Sequence, residues 1–87
     1  MDLKDYRVQM DDIDNQLIDL FRKRMETAGA IAAYKKEHGL PVLDAGRERE
    51  KMRTLLEKMP PEMRNYTSVL YSSLFELSRS YQSQQME

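Results

Sequence analysis

Residues 3–38 read LKDYRVQMDDIDNQLIDLFRKRMETAGAIAAYKKEH and contain no proline. Side chains that are mostly apolar recur here at intervals of three and four residues, the spacing of a helix rather than of a strand. The line they form along the helix is called its seam below. These positions are Leu3, Tyr6, Met10, Ile13, Leu17, Leu20, Arg24, Thr27, Ile31 and Tyr34. Asp2 is suited to cap the start, and Gly39 followed by Pro41 provides a stop. The pattern predicts one unusually long amphipathic helix.

The length of this helix has a consequence for assembly. A helix of about 36 residues is about 54 Å long, which exceeds the diameter of a small domain. The rest of an 87-residue chain is too short to cover its apolar side. A second copy of the helix solves this problem through an isologous interface. We expect an all-α fold of three helices, with a very long N-terminal helix, assembled as an intertwined homodimer.

Two further helices complete the predicted domain, which spans residues 1–87 and could be the N-terminal domain of a longer polypeptide. The second starts at the N-cap Asp44 and runs to about Met59, where two prolines end it. Its buried side consists of Met52, Leu55, Leu56 and Met59. The third runs from Pro61 or Glu62 to about Gln84. Its predicted core stripe consists of Met63, Tyr66, Leu70, Leu74, Leu77 and Tyr81.

The composition excludes several classes of protein. Charged residues make up 33% of the chain, but the net charge is -1, which argues against a polyelectrolyte partner such as nucleic acid. The chain has no cysteine and one histidine, so we expect no metal site. It has no apolar run of membrane-spanning length and no signal-peptide pattern, so we expect a cytoplasmic protein.

The seam of the long helix carries an unusual pair of cations. Arg24 occupies a position where the pattern calls for an apolar residue. Lys35 follows eleven residues later, about 20° away around the helix, so both cations share one face. The residues between them, Ala28, Ile31 and Ala32, are mostly small. The pattern predicts a shallow cationic groove that fits a compact anion.

Arg7 lies about 25 Å before Arg24 along the same helix, too far for one small ligand to reach both in a single chain. If two long helices cross antiparallel near residues 17–20, Arg7 of one chain lies opposite residues 27–33 of the other. It would then face the cationic groove. By position alone, Arg7 is also consistent with an ordinary solvated arginine.

Two other pairs of polar residues, Arg47 with Glu48 and Ser78 with Gln82, are also consistent with ordinary solvated helix surfaces. Arg47 and Glu48 open a charged run that extends to Lys51 and is typical of a solvated helix face. They also lie in the first turn of the second helix, where anions are favoured. Ser78 and Gln82 lie one turn apart beside the stripe of the third helix, as at any polar helix edge.

The chain resembles the all-helical class of chorismate mutase over nearly all of its length. The matching residues are Arg7, Asp14, Leu17, Arg24, Ile31-Ala32, Tyr34-Lys35, Pro41-Val42, Asp44, Arg47-Glu48, Ser78 and Gln82. The resemblance implies an isomerase that rearranges chorismate to prephenate, in the shikimate pathway to phenylalanine and tyrosine. It implies no cofactor.

The resemblance also implies roles for individual residues. Arg24 and Ser78 would hold one substrate carboxylate. Arg7 of the other chain and Arg47 would hold the second. Glu48, with the backbone near Asp44, would receive the ring hydroxyl. Lys35 and Gln82 would donate hydrogen bonds to the ether oxygen as it becomes negative, so Lys35, Gln82 and Glu48 are the expected catalytic residues.

Other functions remain compatible with the sequence. An isochorismate pyruvate lyase uses a similar fold and a related dicarboxylate. A non-catalytic regulatory or dimerisation module of a larger shikimate-pathway enzyme would keep the helices, but it would not need Lys35, Glu48 and Gln82. A nucleic-acid-binding module is disfavoured because acidic residues are interleaved with the basic ones.

Overall fold

The computed structural model describes residues 1–87 as three α-helices without strands. Helix α1 spans Leu3–His38, α2 spans Ala45–Glu57 and α3 spans Arg64–Met86. A short 3₁₀ turn at Pro61–Met63 precedes α3. The all-α prediction and the three predicted helices are confirmed. The chain measures 54 × 26 × 15 Å, and α1 accounts for the long dimension.

Both ends of α1 are fixed by local hydrogen bonds. The Asp2 carboxylate accepts the backbone N–H of Asp5 at 3.0 Å, and the Asp5 carboxylate accepts the backbone N–H of Asp2 at 3.1 Å. Such reciprocal capping satisfies two helix donors. At the other end Gly39 has a φ of 64°, a conformation that glycine adopts without steric cost. The predicted boundaries of α1 are therefore confirmed.

The boundaries of the other helices differ slightly from the prediction. Helix α2 ends at Glu57 rather than near Met59, because Pro60 restricts the residue before it to an extended backbone. Pro61 occupies the first position of the 3₁₀ turn, and α3 begins after that turn. Helix α3 continues past Gln84 to Met86.

The core is small and lies between α1 and α3. The buried residues are Ala28, Ala32, Thr67 and Gln82. Small side chains at the contact allow two helices to approach closely. At Gly29, an added Cβ atom would lie 3.4 Å from the ring of Tyr81. This close contact holds the C-terminal half of α1 against the C-terminal half of α3.

The predicted core stripe of α3 is only partly buried in the single chain. Tyr66 is 77% exposed and Leu70 is 52% exposed, whereas Leu74 and Tyr81 are half-buried and Thr67, outside the stripe, is buried. Four residues of α3 that line a cleft between the three helices, Tyr71, Phe75, Ser78 and Gln82, each lie one position after a stripe residue, about 100° around the helix. Most of the apolar stripe is left at the surface.

The N-terminal half of α1 extends beyond the other helices. Every residue from 1 to 20 is exposed, including Leu3 at 63% and Leu17 at 56%. By contrast, the predicted apolar side of α2 is half-buried. None of the helices combines the length and the hydropathy that a membrane span requires.

Candidate active site

A cleft of about 700 Å³ lies where the C-terminal half of α1 faces the start of α2 and the C-terminal half of α3. Its lining is strongly cationic. The six cationic residues are Lys23, Arg24, Lys35, Arg47, Lys51 and Arg79, and the two acidic residues are Asp44 and Glu48. A concave surface with this excess of positive charge attracts anions. The cationic groove predicted along α1 is therefore one wall of a larger cleft.

Seven of the eight predicted site residues line this cleft, although they come from three separate helices and one loop. They are Arg24, Lys35, Asp44, Arg47, Glu48, Ser78 and Gln82. Arg7 is the exception. It is exposed on the N-terminal half of α1, which the other helices leave uncovered and which is called the free half below. Arg7 lies seventeen residues before Arg24, about 25 Å away along the helix. The single chain does not bring Arg7 to the cleft.

Three of these side chains form a hydrogen-bonded series. The Nζ atom of Lys35 donates to the backbone carbonyl of Val42 at 2.6 Å and to Oε1 of Gln82 at 3.1 Å. The Nε2 atom of Gln82 donates to Oγ of Ser78 at 3.0 Å. These two bonds hold both ends of the Gln82 amide in place, and the residue is only 6% exposed. The Ser78 hydroxyl accepts this bond and keeps its own proton for a ligand.

Arg24 is stabilised by aromatic rings rather than by an ion pair. Its guanidinium carbon lies 5.9 Å from the ring centre of Tyr71 and 5.8 Å from that of Phe75. Cation–π contacts of this kind support a half-buried guanidinium without consuming its N–H donors. Those donors remain for an anionic ligand. The sequence analysis did not identify Tyr71 or Phe75. Their spacing of four residues, beside the apolar stripe, places both rings on one side of α3.

Asp44 positions the start of α2. It is the N-cap, as predicted, and its Oδ1 atom accepts the backbone N–H of Arg47 at 3.0 Å. This bond fixes the first turn, which carries both Arg47 and Glu48. The Arg47 side chain is exposed at the rim, whereas Glu48 is half-buried in the cleft.

Arg79 is a cleft residue that the sequence analysis missed. Its Nη1 atom donates to both carboxylate oxygens of Glu48, at 2.5 and 2.6 Å. The side chains of Arg79 and Glu48 are 34% and 25% exposed. A signal was available, because Arg79 lies three residues before Gln82 and so shares its side of the helix. Its partner is 31 residues away and could not be inferred from spacing.

Comparison with known proteins finds one family that matches most of this chain and relatives that match about half of it. The family described as chorismate mutase type II matches residues 6–83. The T-protein of Haemophilus influenzae is 44% identical over 46 residues, which cover 53% of this chain and 12% of the T-protein. The 4-amino-4-deoxychorismate mutase of Streptomyces venezuelae is 37% identical over 46 residues, which cover 53% of this chain and 45% of that enzyme. No solved structure was found to match.

The two curated relatives are matched over less than half of their own lengths. The family match is broader, because residues 6–83 contain Arg7 and every residue that lines the cleft. It also covers most of all three helices. The chain therefore belongs to the chorismate mutase type II family.

Proposed function

We propose that this chain converts chorismate to prephenate by an intramolecular Claisen rearrangement, in the biosynthesis of phenylalanine and tyrosine. Membership of the chorismate mutase type II family supports this activity. The observation that carries the proposal is the convergence of Arg24, Lys35 and Gln82 on one cationic cleft. Chorismate is a dicarboxylate, and the positive lining favours a ligand with two negative charges.

Two sets of donors are assigned to the two carboxylates. Arg24 and Ser78 bind one, since both have donors that the protein does not use. Arg47 at the rim binds the other together with Arg7 of a second chain. Arginine suits this task better than lysine, because its planar fork offers two parallel hydrogen bonds to a carboxylate.

The reaction needs no covalent intermediate, so the protein contributes conformation and charge. The cleft selects the compact conformer in which the two reacting carbons approach each other. As the ether bond lengthens, negative charge develops on its oxygen. Lys35 and Gln82 donate hydrogen bonds to that atom, and preorganised donors of this kind stabilise a transition state more than a ground state. Glu48 accepts the hydrogen bond of the ring hydroxyl.

The working form in this proposal is a homodimer. The chain exposes 6982 Å², whereas a folded monomer of its mass exposes about 5,400 Å². Much of the surplus lies on the free half of α1, whose apolar side is uncovered. An antiparallel second copy would cover that side and carry its Arg7 toward the cleft. The excess area, about 1,600 Å² for each chain, is that of an obligate interface.

The test of the activity is the loss of chorismate absorbance with purified protein. The product is identified as prephenate by its conversion to phenylpyruvate in acid. We expect turnover by the parent and its loss in Arg24→Ala. Arg53→Ala is the matched control, because Arg53 is an exposed arginine of α2 outside the cleft. A folded parent without turnover contradicts the proposal, and release of pyruvate from isochorismate would identify a lyase instead.

The Streptomyces relative suggests a second candidate substrate. Its name specifies 4-amino-4-deoxychorismate, in which an amino group replaces the ring hydroxyl of chorismate. The carboxylates and the ether oxygen are the same in both molecules. Discrimination between them therefore depends on the protein groups around the ring substituent, which in this proposal are Glu48 and its surroundings.

A further inference from the structure

We propose that Arg79 is a positioning residue that sets the choice between a hydroxyl and an amino group on the substrate ring. It does so by holding Glu48 as an ion-paired hydrogen-bond acceptor. The inference rests on the proposed function, in which Glu48 receives the ring substituent. It adds a residue to that site and states which of the two related substrates the site selects.

The Arg79–Glu48 pair differs from the other ion pairs of the chain. It joins α3 to α2, whereas the pairs made by Arg22 and Arg53 each lie within one helix. It is also the least exposed, since its side chains are 34% and 25% exposed and those of the Arg53–Glu50 pair are both 59% exposed. Exposed pairs contribute little, because water screens them. The Arg79–Glu48 pair keeps more of its electrostatic effect.

The geometry leaves Glu48 able to bind a ligand. One nitrogen, Nη1 of Arg79, contacts both carboxylate oxygens. A carboxylate offers about four lone-pair positions, so acceptor capacity remains after these two bonds. A ring hydroxyl is a neutral donor and needs one of the remaining positions. The pair therefore presents an oriented acceptor whose negative charge is already balanced.

An amino substituent meets a different environment. An aliphatic amine is mainly protonated at neutral pH, so the amino analogue carries a positive charge at the ring. Arg79 balances the charge of Glu48 and also repels a second cation placed beside it. The cleft contains five further cationic side chains but only one other carboxylate, Asp44, so its lining remains cationic overall. The site therefore favours the hydroxyl over the ammonium.

Arg79 also connects α2 to α3, so a loss of activity in a variant would not by itself reveal the role in selection. The two roles differ in what they change. A purely structural role affects both substrates by the same factor. A role in selection changes the ratio of kcat/KM for chorismate to kcat/KM for 4-amino-4-deoxychorismate. That ratio is the decisive measurement.

The experiment compares the parent, Arg79→Gln, Arg79→Lys and the control Arg53→Gln with both substrates. We expect the parent to prefer chorismate and Arg79→Gln to reduce this preference about tenfold, which corresponds to about 1.4 kcal/mol. Arg79→Lys should retain the preference within about twofold, because the contact is made by a single nitrogen that an ammonium can replace. Arg53→Gln removes the same charge from an exposed ion pair and should leave the ratio unchanged.

Each outcome decides the inference. An unchanged ratio in Arg79→Gln overturns it, whatever the change in the individual rates, and so does loss of the preference in Arg79→Lys alone. If Arg79→Gln does not fold, the inference is decided by the same ratio in Arg79→Lys and in the milder variant Glu48→Gln. We expect Glu48→Gln to bind the amino substrate even less well, relative to chorismate, than the parent does. If the parent turns over neither substrate, the proposed function fails, and the ratio of the two dissociation constants from calorimetry tests the role of Arg79 separately.

Discussion

Lys35 and Gln82 are 47 residues apart in the chain, yet Nζ of Lys35 donates a hydrogen bond to Oε1 of Gln82 at 3.1 Å. Neither side chain is exhausted by its bonds within the protein. The ammonium of Lys35 has three donors and uses two, and the amide nitrogen of Gln82 has two and uses one, on Ser78. One donor on each remains, held in position before a ligand arrives. This arrangement suits two groups that act together on one developing oxyanion.

Replacement of Lys35 tests its assigned role. Lys35→Met should lower kcat for chorismate by about 10²–10³, the range found when one preorganised donor to a developing oxyanion is removed. Steady-state kinetics provide the measurement. Lys36→Met is the control, because Lys36 is the exposed neighbour on α1 and lies outside the cleft. A Lys35→Met variant with the parent kcat would remove the lysine from the mechanism.

Replacement of Gln82 by a titratable group should introduce a new pH dependence. Glutamine donates its hydrogen bond at every working pH, whereas a glutamate donates one only when protonated. The carboxyl group of Gln82→Glu has a reference pKa of about 4.3, which burial at this position would raise and the adjacent Lys35 ammonium would lower. Activity of this variant should therefore increase as the pH falls, between about pH 8 and pH 4.

The control for this experiment is Gln84→Glu, which makes the same charge change at an exposed position of α3. Its pH–rate profile should follow that of the parent. A Gln82→Glu profile that also matched the parent would contradict the assignment of Gln82 to the ether oxygen.

A shared site can be tested by exchanging subunits. Arg7→Ala and Arg24→Ala should each be inactive alone if every site uses Arg24 of one chain and Arg7 of the other. In an equimolar mixture half of the dimers are mixed, and each mixed dimer holds one intact site, so up to about a quarter of the parent activity should return. No return after verified exchange would show that the two arginines do not act across an interface.

The free half of α1 predicts the effect of a charge on its apolar side. Leu17 is 56% exposed in the single chain, so Leu17→Lys should be harmless to a monomer. In a dimer it would bury an unpaired cation, which is strongly destabilising. We expect sedimentation equilibrium to show a loss of dimer and circular dichroism to show reduced helix content.

Asp11→Asn serves as the matched control for Leu17→Lys. It changes the net charge by the same amount on the same helix, about 120° away around the axis. It should remain dimeric. If Leu17→Lys sedimented like the parent, the exposed side of α1 would not be the interface.

The cap at Asp44 predicts an effect on stability. Asp44→Ala removes the acceptor for the backbone N–H of Arg47 and should lower the free energy of unfolding by about 1 kcal/mol. Asp44→Asn keeps an equally good cap and should remain close to the parent. Urea denaturation followed by circular dichroism provides the measurement. Equal losses in the two variants would show that the charge matters rather than the cap.

Local sequence determined the helices and most of their ends. Asp2, Asp44 and Gly39 act through hydrogen bonds or backbone angles within a few residues, so their effects can be predicted without knowledge of the fold. The same is true of the shared face of Arg24 and Lys35, which depends on the helical repeat alone. The grouping of α1 residues with Glu48, Ser78 and Gln82 was anticipated through the resemblance to a family.

Tertiary structure decided which sides of the helices meet and which side chains pair. The docking of the helices buried Thr67 and Gln82 and left Leu70 exposed. Periodicity shows that a helix has an apolar side, but it does not show which neighbour that side contacts. The Arg24 contacts with Tyr71 and Phe75 and the Arg79 bond to Glu48 arise from the same docking of helices. They join residues distant in the chain, and such pairs are set by the relative placement of whole helices rather than by local spacing.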